Sequence, residues 1–151
     1  MKNARRLALE GAVLLAAAAA VACGSKTDPV RETLDRVVKA AHGRDAAAVV
    51  EELSAEYRDE TGSGRSDVEQ RLRSYFAAYD IVNVTLHDVT IERGEGAARA
   101  RFRADFSGQP RAVPGLAGLL PSSASYVFDV RLTRDGSAWR VAWASWERAG
   151  G

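Results

Sequence analysis

The sequence predicts an α+β domain in which helices come first and an antiparallel sheet follows, and three observations predict it. From Asp28 to Asp80 apolar residues recur at intervals of three and four, the period of a helix with one buried face. From Val82 onward they alternate instead, the period of a strand with one buried face. Each helical stretch is amphipathic and needs a partner surface, which the strand half supplies.

Asp28 is placed as an N-cap with Pro29 at the first helical position, and Val30, Leu34, Val37, Val38 and Ala41 then share one face. Gly43 is expected to end this helix in the left-handed conformation. A second helix is expected after the cap Asp45, carrying Val49, Val50, Leu53 and Tyr57 until Asp59-Glu60-Thr61-Gly62-Ser63-Gly64 breaks the pattern. A third opens on a capping box, Ser66 with Glu69, and presents Val68, Leu72, Tyr75, Phe76 and Tyr79.

In the strand half Val82, Val84 and Leu86 alternate, and Val89 and Ile91 continue on the opposite parity. That switch predicts a bulge near His87-Asp88. After Gly94-Glu95-Gly96, Ala98, Ala100, Phe102, Ala104 and Phe106 take one face, while Arg99, Arg101, Arg103 and Asp105 take the other. Tyr126, Phe128, Val130 and Leu132 repeat the pattern, Asp135-Gly136 makes a tight turn, and Trp139 to Trp146 returns. On the outer parity Asp105 and Asp129 are expected to pair with Arg101, Arg103 or Arg131.

The chain has 151 residues, with no internal repeat, and residues 30–151 suit one domain large enough to bury a core. Residues 1–22 hold three of the 21 Lys and Arg and one of the 20 Asp and Glu, so residues 23–151 carry a net charge of about −1. Such a balance gives no reason to expect nucleic acid, whose backbone requires concentrated positive charge. Cys23 is the single cysteine, so no disulfide forms within the chain.

Lys2, Arg5 and Arg6 precede an unbroken apolar run of eleven residues, Ala12 to Ala22, within the range of a secretory signal and well short of the ~20 residues that span a bilayer. Ala20-Val21-Ala22-Cys23-Gly24-Ser25 resembles a bacterial lipobox. The resemblance implies a signal peptide over residues 1–22, a diacylglyceryl (palmitate-type) lipid on Cys23 and a short tether over residues 23–29 that reaches at most roughly 20 Å. It thus implies an exported lipoprotein of the cell envelope, held to the cell membrane or an outer membrane through Cys23, since two or more acyl chains anchor stably where one does not. An ordinary cleaved signal that leaves a free thiol at Cys23 stays open beside it.

From Val30 to Arg148 the element order resembles the nuclear transport factor 2-like (SnoaL-like) fold, as does the ending Asp135-Gly136-Ser137-Ala138-Trp139-Arg140-Val141. This resemblance implies three helices packed on a curved sheet, forming a cone with a pocket between them. Enzymes of the superfamily, isomerases, dehydratases and cyclases among them, place an Asp, a His or both inside the cone. On the strand positions that would line it here, Tyr126 is the one polar residue and no carboxylate shares the face.

The first expectation is therefore a non-enzymatic module that takes a small apolar ligand or an envelope protein, with Tyr75, Tyr79, Phe102, Tyr126, Phe128 and Trp143 as the ligand-binding residues. The alternative is an enzyme with His87, re-aimed by the bulge toward Tyr57, Tyr75 or Tyr79, as one of an acid/base pair. His42, in the last turn of the first helix, is expected to serve its carbonyl end. Two histidines 45 positions apart with no cysteine or acidic cluster beside them make no metal site, and no cofactor is implied. Gln109 to Ser123 forms a long connection with Pro110, Pro114 and Pro121 around Val113 to Leu120, placed either as a plug for the open cone or as a contact surface for a partner or membrane. Homodimerisation through the outer sheet face is a further expectation that the resemblance implies.

Overall fold

The computed structural model describes residues 26–112, 114 and 118–150. Cys23, the signal segment and Val113, Gly115, Leu116 and Ala117 of the proline-flanked connection lie outside the described residues. The elements run α1 (Pro29–His42), α2 (Ala46–Glu51), β1 (Leu53–Asp59), α3 (Arg65–Ala77), β2 (Tyr79–Arg93), β3 (Ala97–Pro110), β4 (Ser123–Asp135) and β5 (Ala138–Arg148). The five strands form one sheet in the order β1-β5-β4-β3-β2. Three of its junctions are antiparallel, and β1 runs parallel to β5.

α1 starts as its sequence requires: the Asp28 carboxylate accepts the Val30 N–H at 2.8 Å, with Pro29 following the cap. Its end differs from expectation. Gly43 stays right-handed at φ −74°, and the left-handed conformation falls on Arg44, φ 54°. His42 does not serve the helix end either. Its Nε2 lies 2.9 Å from both the N–H and the carbonyl oxygen of Val84 in β2, accepting from the first in one tautomer and donating to the second in the other.

The second helix is shorter than its periodicity suggests. It stops at Glu51, and Leu53 and Tyr57, four apart as on a helix, belong to β1. Pairing with β5 decides this, Leu53 opposite Val141 and Asp59 opposite Ala144, because a short amphipathic run gains more from a sheet edge than from one extra helical turn. α3 opens one residue before Ser66. Asp67, not Glu69, closes the cap by accepting the Gly64 N–H at 2.9 Å, while Glu69 pairs with Arg73 one turn on.

The sheet half follows its alternation. The predicted bulge is present: register shifts between His87 and Thr90, and Asp88 takes φ 53° to make the turn. Gly136, φ 61°, turns the β4–β5 hairpin. α1, α2 and α3 lie over one face of the sheet and bury Val30, Leu34, Val50 and Phe76 against Val82, Ala100, Val130 and Leu132. Among the described residues no helix is long and apolar enough to cross a membrane.

Candidate functional site

The inner, helix-covered face of the sheet is aliphatic in one part, at Ala100, Val130 and Leu132, and aromatic in another. Alternation along β3 and β4 brings Phe102, Phe106, Tyr126 and Phe128 to that face, and β5 adds Trp146. Phe102 stacks on Phe128 with ring centres 5.4 Å apart, Trp146 lies 6.0 Å from Phe128, and Tyr126 meets Phe106 edge-on at 5.9 Å. Phe106, Tyr126, Phe128 and Trp146 are only partly buried although they sit on the core side, so this part of the inner face is accessible.

Two more tyrosines converge there. Tyr79, at the start of β2, is 1% exposed and donates its hydroxyl to the Pro121 carbonyl at 2.7 Å, which ties the proline-flanked connection to the wall. Gly108 permits this ring position: a Cβ there would stand 2.8 Å from Tyr79 Cδ1. Tyr75 of α3 stacks on Tyr79 at 4.6 Å. Burial, helped by the Tyr79 and Tyr126 phenols beside it, pushes the Tyr75 hydroxyl up to about 12. Tyr75 therefore stays a proton donor across the physiological range.

β1 supplies what the sequence pattern hid. Asp59 sits opposite Ala144 on the inner face, 3% exposed, so a carboxylate does share that face. Its Oδ1 accepts the Thr61 hydroxyl at 2.6 Å and the N–H groups of Thr61 and Ser63 at 2.9 Å, pinning the β1–α3 turn. Among the described residues Oδ2 has no hydrogen-bond partner, and it lies 3.5 Å from the Arg71 guanidinium. Burial pushes the carboxyl upward, but the Thr61 hydroxyl, the two backbone donors and Arg71 outweigh it and hold the group below its ordinary value. Tyr57, two residues before, is pushed up to about 12 by burial and then by the Asp59 charge, with Arg71 partly offsetting. The signal for Asp59 was the Asp-x-Thr-x-Ser spacing, which marks a side-chain-capped turn.

Two site residues expected on sequence lie elsewhere. Register shifts where Leu132 and Arg131 face Val141 and Trp143, which skips Ala142 and turns Trp143 to the outer face, with the Arg131 guanidinium 4.5 Å over its ring. Trp146 takes the inner position instead. His87 also faces outward. Its Nε2 is 3.0 Å from Asp105 Oδ2, and the same carboxylate accepts the Ser125 hydroxyl and lies 3.3 Å from Arg103. His87 and Tyr79 thus open on opposite sides of the sheet and do not face one substrate. Asp105 pairs with Arg103, one of the expected partners, but Asp129 pairs mainly with Arg99, at 2.9 Å, an arginine of the same outer face that was not among them, with Arg101 at 3.9 Å. Among the described residues no three His, Cys, Asp or Glu side chains cluster as metal ligands do.

No protein-family model matches the sequence, and no curated protein matches it either. Solved structures do. A proposed scytalone dehydratase from Novosphingobium aromaticivorans superposes with a TM-score of 0.70 at 8% identity, covering 81% of this chain and 83% of its own. A nuclear transport factor 2-like superfamily protein from Salmonella enterica superposes with a TM-score of 0.66 at 14% identity, over 81% of this chain and 89% of that one. The fold is nuclear transport factor 2-like. Bd1075 of Bdellovibrio bacteriovorus shares it at a TM-score of 0.66 and 8% identity over 80% of this chain, which spans 40% of that protein. At these identities the likeness is one of fold.

Proposed function

We propose that this chain is a lipid-anchored binding module of the cell envelope, tethered through residues 23–29, whose domain over residues 30–151 takes a small apolar or aromatic ligand at the aromatic part of the inner face. The partly buried cluster of Phe106, Tyr126, Phe128 and Trp146 on an otherwise closed inner face carries this reading, with Tyr75 as the polar group that orients a ligand and Tyr79, its hydroxyl held by Pro121, as the wall it stacks on. Asp59, the carboxylate on that face, has one oxygen committed to the β1–α3 turn and the other beside Arg71. Native mass spectrometry of the protein purified gently from its host tests the pocket. The expected result is a small mass that leaves on denaturation and falls in occupancy in Phe128→Ala; a wholly empty protein overturns it. The mass of the N-terminal peptide tests the anchor separately, by the presence or absence of acyl chains on Cys23.

A second reading is an enzyme of the dehydratase or isomerase type. The buried Oδ2 of Asp59, which accepts no hydrogen bond among the described residues, favours it, as does the neighbour from Novosphingobium aromaticivorans. If turnover of the copurified ligand is found and Asp59→Asn abolishes it in a folded protein, this reading replaces the first.

A further inference from the structure

An open cleft of about 500 Å³ lies where the α1–α2 turn, the end of α3 and the exit of β3 meet. Three guanidiniums line it: Arg44, Arg73 and Arg111. Asp45 is the carboxylate in the lining, and it accepts the Ala48 N–H at 3.0 Å to cap α2. Arg73 and Arg111 have partners outside the lining, Glu69 at 3.1 Å and Asp80 at 3.1 Å, both across solvent-exposed pairs that a stronger anion displaces readily. Arg44 makes no ion pair among the described residues; its Nη1 donates to the Tyr79 carbonyl at 2.8 Å.

Arg44 carries an independent oddity. A left-handed turn at the end of α1 has a glycine available one residue earlier, yet the strained φ of 54° falls on the arginine. Backbone strain at a side chain held into a cleft is a mark of a site that needs that side chain. Arginine forks recognise phosphate oxygens with two parallel N–H donors each, and three of them from three elements suit a tetrahedral dianion better than a flat carboxylate.

We infer that this cleft binds a phosphate monoester or free phosphate, with Arg44 as its fixed donor and Arg73 and Arg111 closing on the anion. The inference goes beyond the ligand pocket on the inner face and stands without it. Because Arg44 grips the Tyr79 carbonyl and the Arg111 N–H donates to the Ala78 carbonyl, an occupant also braces the backbone that carries the Tyr79 ring.

The test is a thermal melt of the full-length protein titrated with inorganic phosphate at constant ionic strength, against chloride. Phosphate is expected to raise Tm saturably, as a ligand of the folded state does. Arg44→Gly is the deciding variant, since glycine accepts φ 54° without strain. It is expected to keep or raise Tm in phosphate-free buffer while weakening phosphate affinity about tenfold or more. A response to phosphate no larger than to chloride, or an Arg44→Gly protein that binds phosphate as tightly as the wild type, overturns the inference. With binding in hand, a larger response to glycerol phosphate than to phosphatidate vesicles makes the occupant a soluble ester, and the reverse makes it a lipid headgroup.

Discussion

The two faces of the sheet are built from the same strands in strict alternation, yet they obey different energetics. On the inner face, Leu132, Val130 and Ala100 are buried, and each side chain is held by contacts that water cannot replace. On the outer face, one residue away, Arg131, Arg99 and Arg101 stand mostly in solvent, where water competes for every ion pair. Asp59 and Asp129 carry the comparison to single residues. The first is a carboxylate brought inside and needs three donors to stay there; the second sits on the open face with arginines it can exchange. Position relative to the pleat, not residue type, sets what a side chain contributes.

The sharpest way to break this contrast is to truncate neighbours on opposite faces. Leu132→Ala is expected to cost about 2–5 kcal/mol in urea unfolding, whereas Arg131→Ala, which loses a stacked contact with Trp143, stays within about 1 kcal/mol. Gly108→Ala comes next. Its new methyl drives against the Tyr79 ring and the Ile81 carbonyl, an overpacking expected to cost about 1–3 kcal/mol and to free the Tyr79–Pro121 hydrogen bond, visible as lost amide protection around Pro121.

Asp59→Asn refines the comparison through pH. The folded carboxyl lies below its unfolded value, so its stabilisation is fully present above the unfolded pKa of about 3.9 and is lost as pH falls through the folded value. Wild type is therefore expected to exceed Asp59→Asn in stability by about 1–3 kcal/mol at neutral pH, the gap closing below about pH 4. Denaturant melts of both proteins at each pH check the sign. The smallest effect is spectroscopic: in an ultraviolet titration, Tyr75→Phe and Tyr57→Phe are each expected to remove a phenol that ionises at about 12, with little change in the rest of the curve.

Most of the fold was legible where local signals agreed with the long-range partner. Asp28-Pro29 started a helix because cap and fixed φ act within one turn, and the parity switch at His87-Asp88 announced its bulge because alternation has no other way to reverse. β1 was not legible. Leu53 and Tyr57 satisfy helical spacing, and only β5, 88 positions later at Val141, makes them a strand. With β1 misassigned, Asp59 was hidden from the inner face. Trp143 failed for a related reason: a bulge at Ala142 has no mark in a run of alternating tryptophans and valine, and one skipped residue exchanges the faces of Trp143 and Trp146. Phe102, Tyr126 and Phe128 share one face as their alternation predicts, because each lies within an unbroken stretch of its own strand, whereas Tyr79, read as the last residue of the third helix, opens β2 instead, since α3 stops at Ala77.

His42 and Asp88 together act on an edge. β2 is the outermost strand of the sheet, and its free backbone groups form a template on which a strand from another chain can dock, the first step of fibril growth. His42 occupies one of the Val84 backbone groups midway along that template, and the left-handed Asp88 four residues on kinks what remains, which shortens each stretch open to a stack. The gain is in shelf life as much as in shape: replacing His42 with alanine is expected to leave the hydrophobic core intact and open the chain to slow, concentration-dependent self-association, which thioflavin fluorescence over days would register.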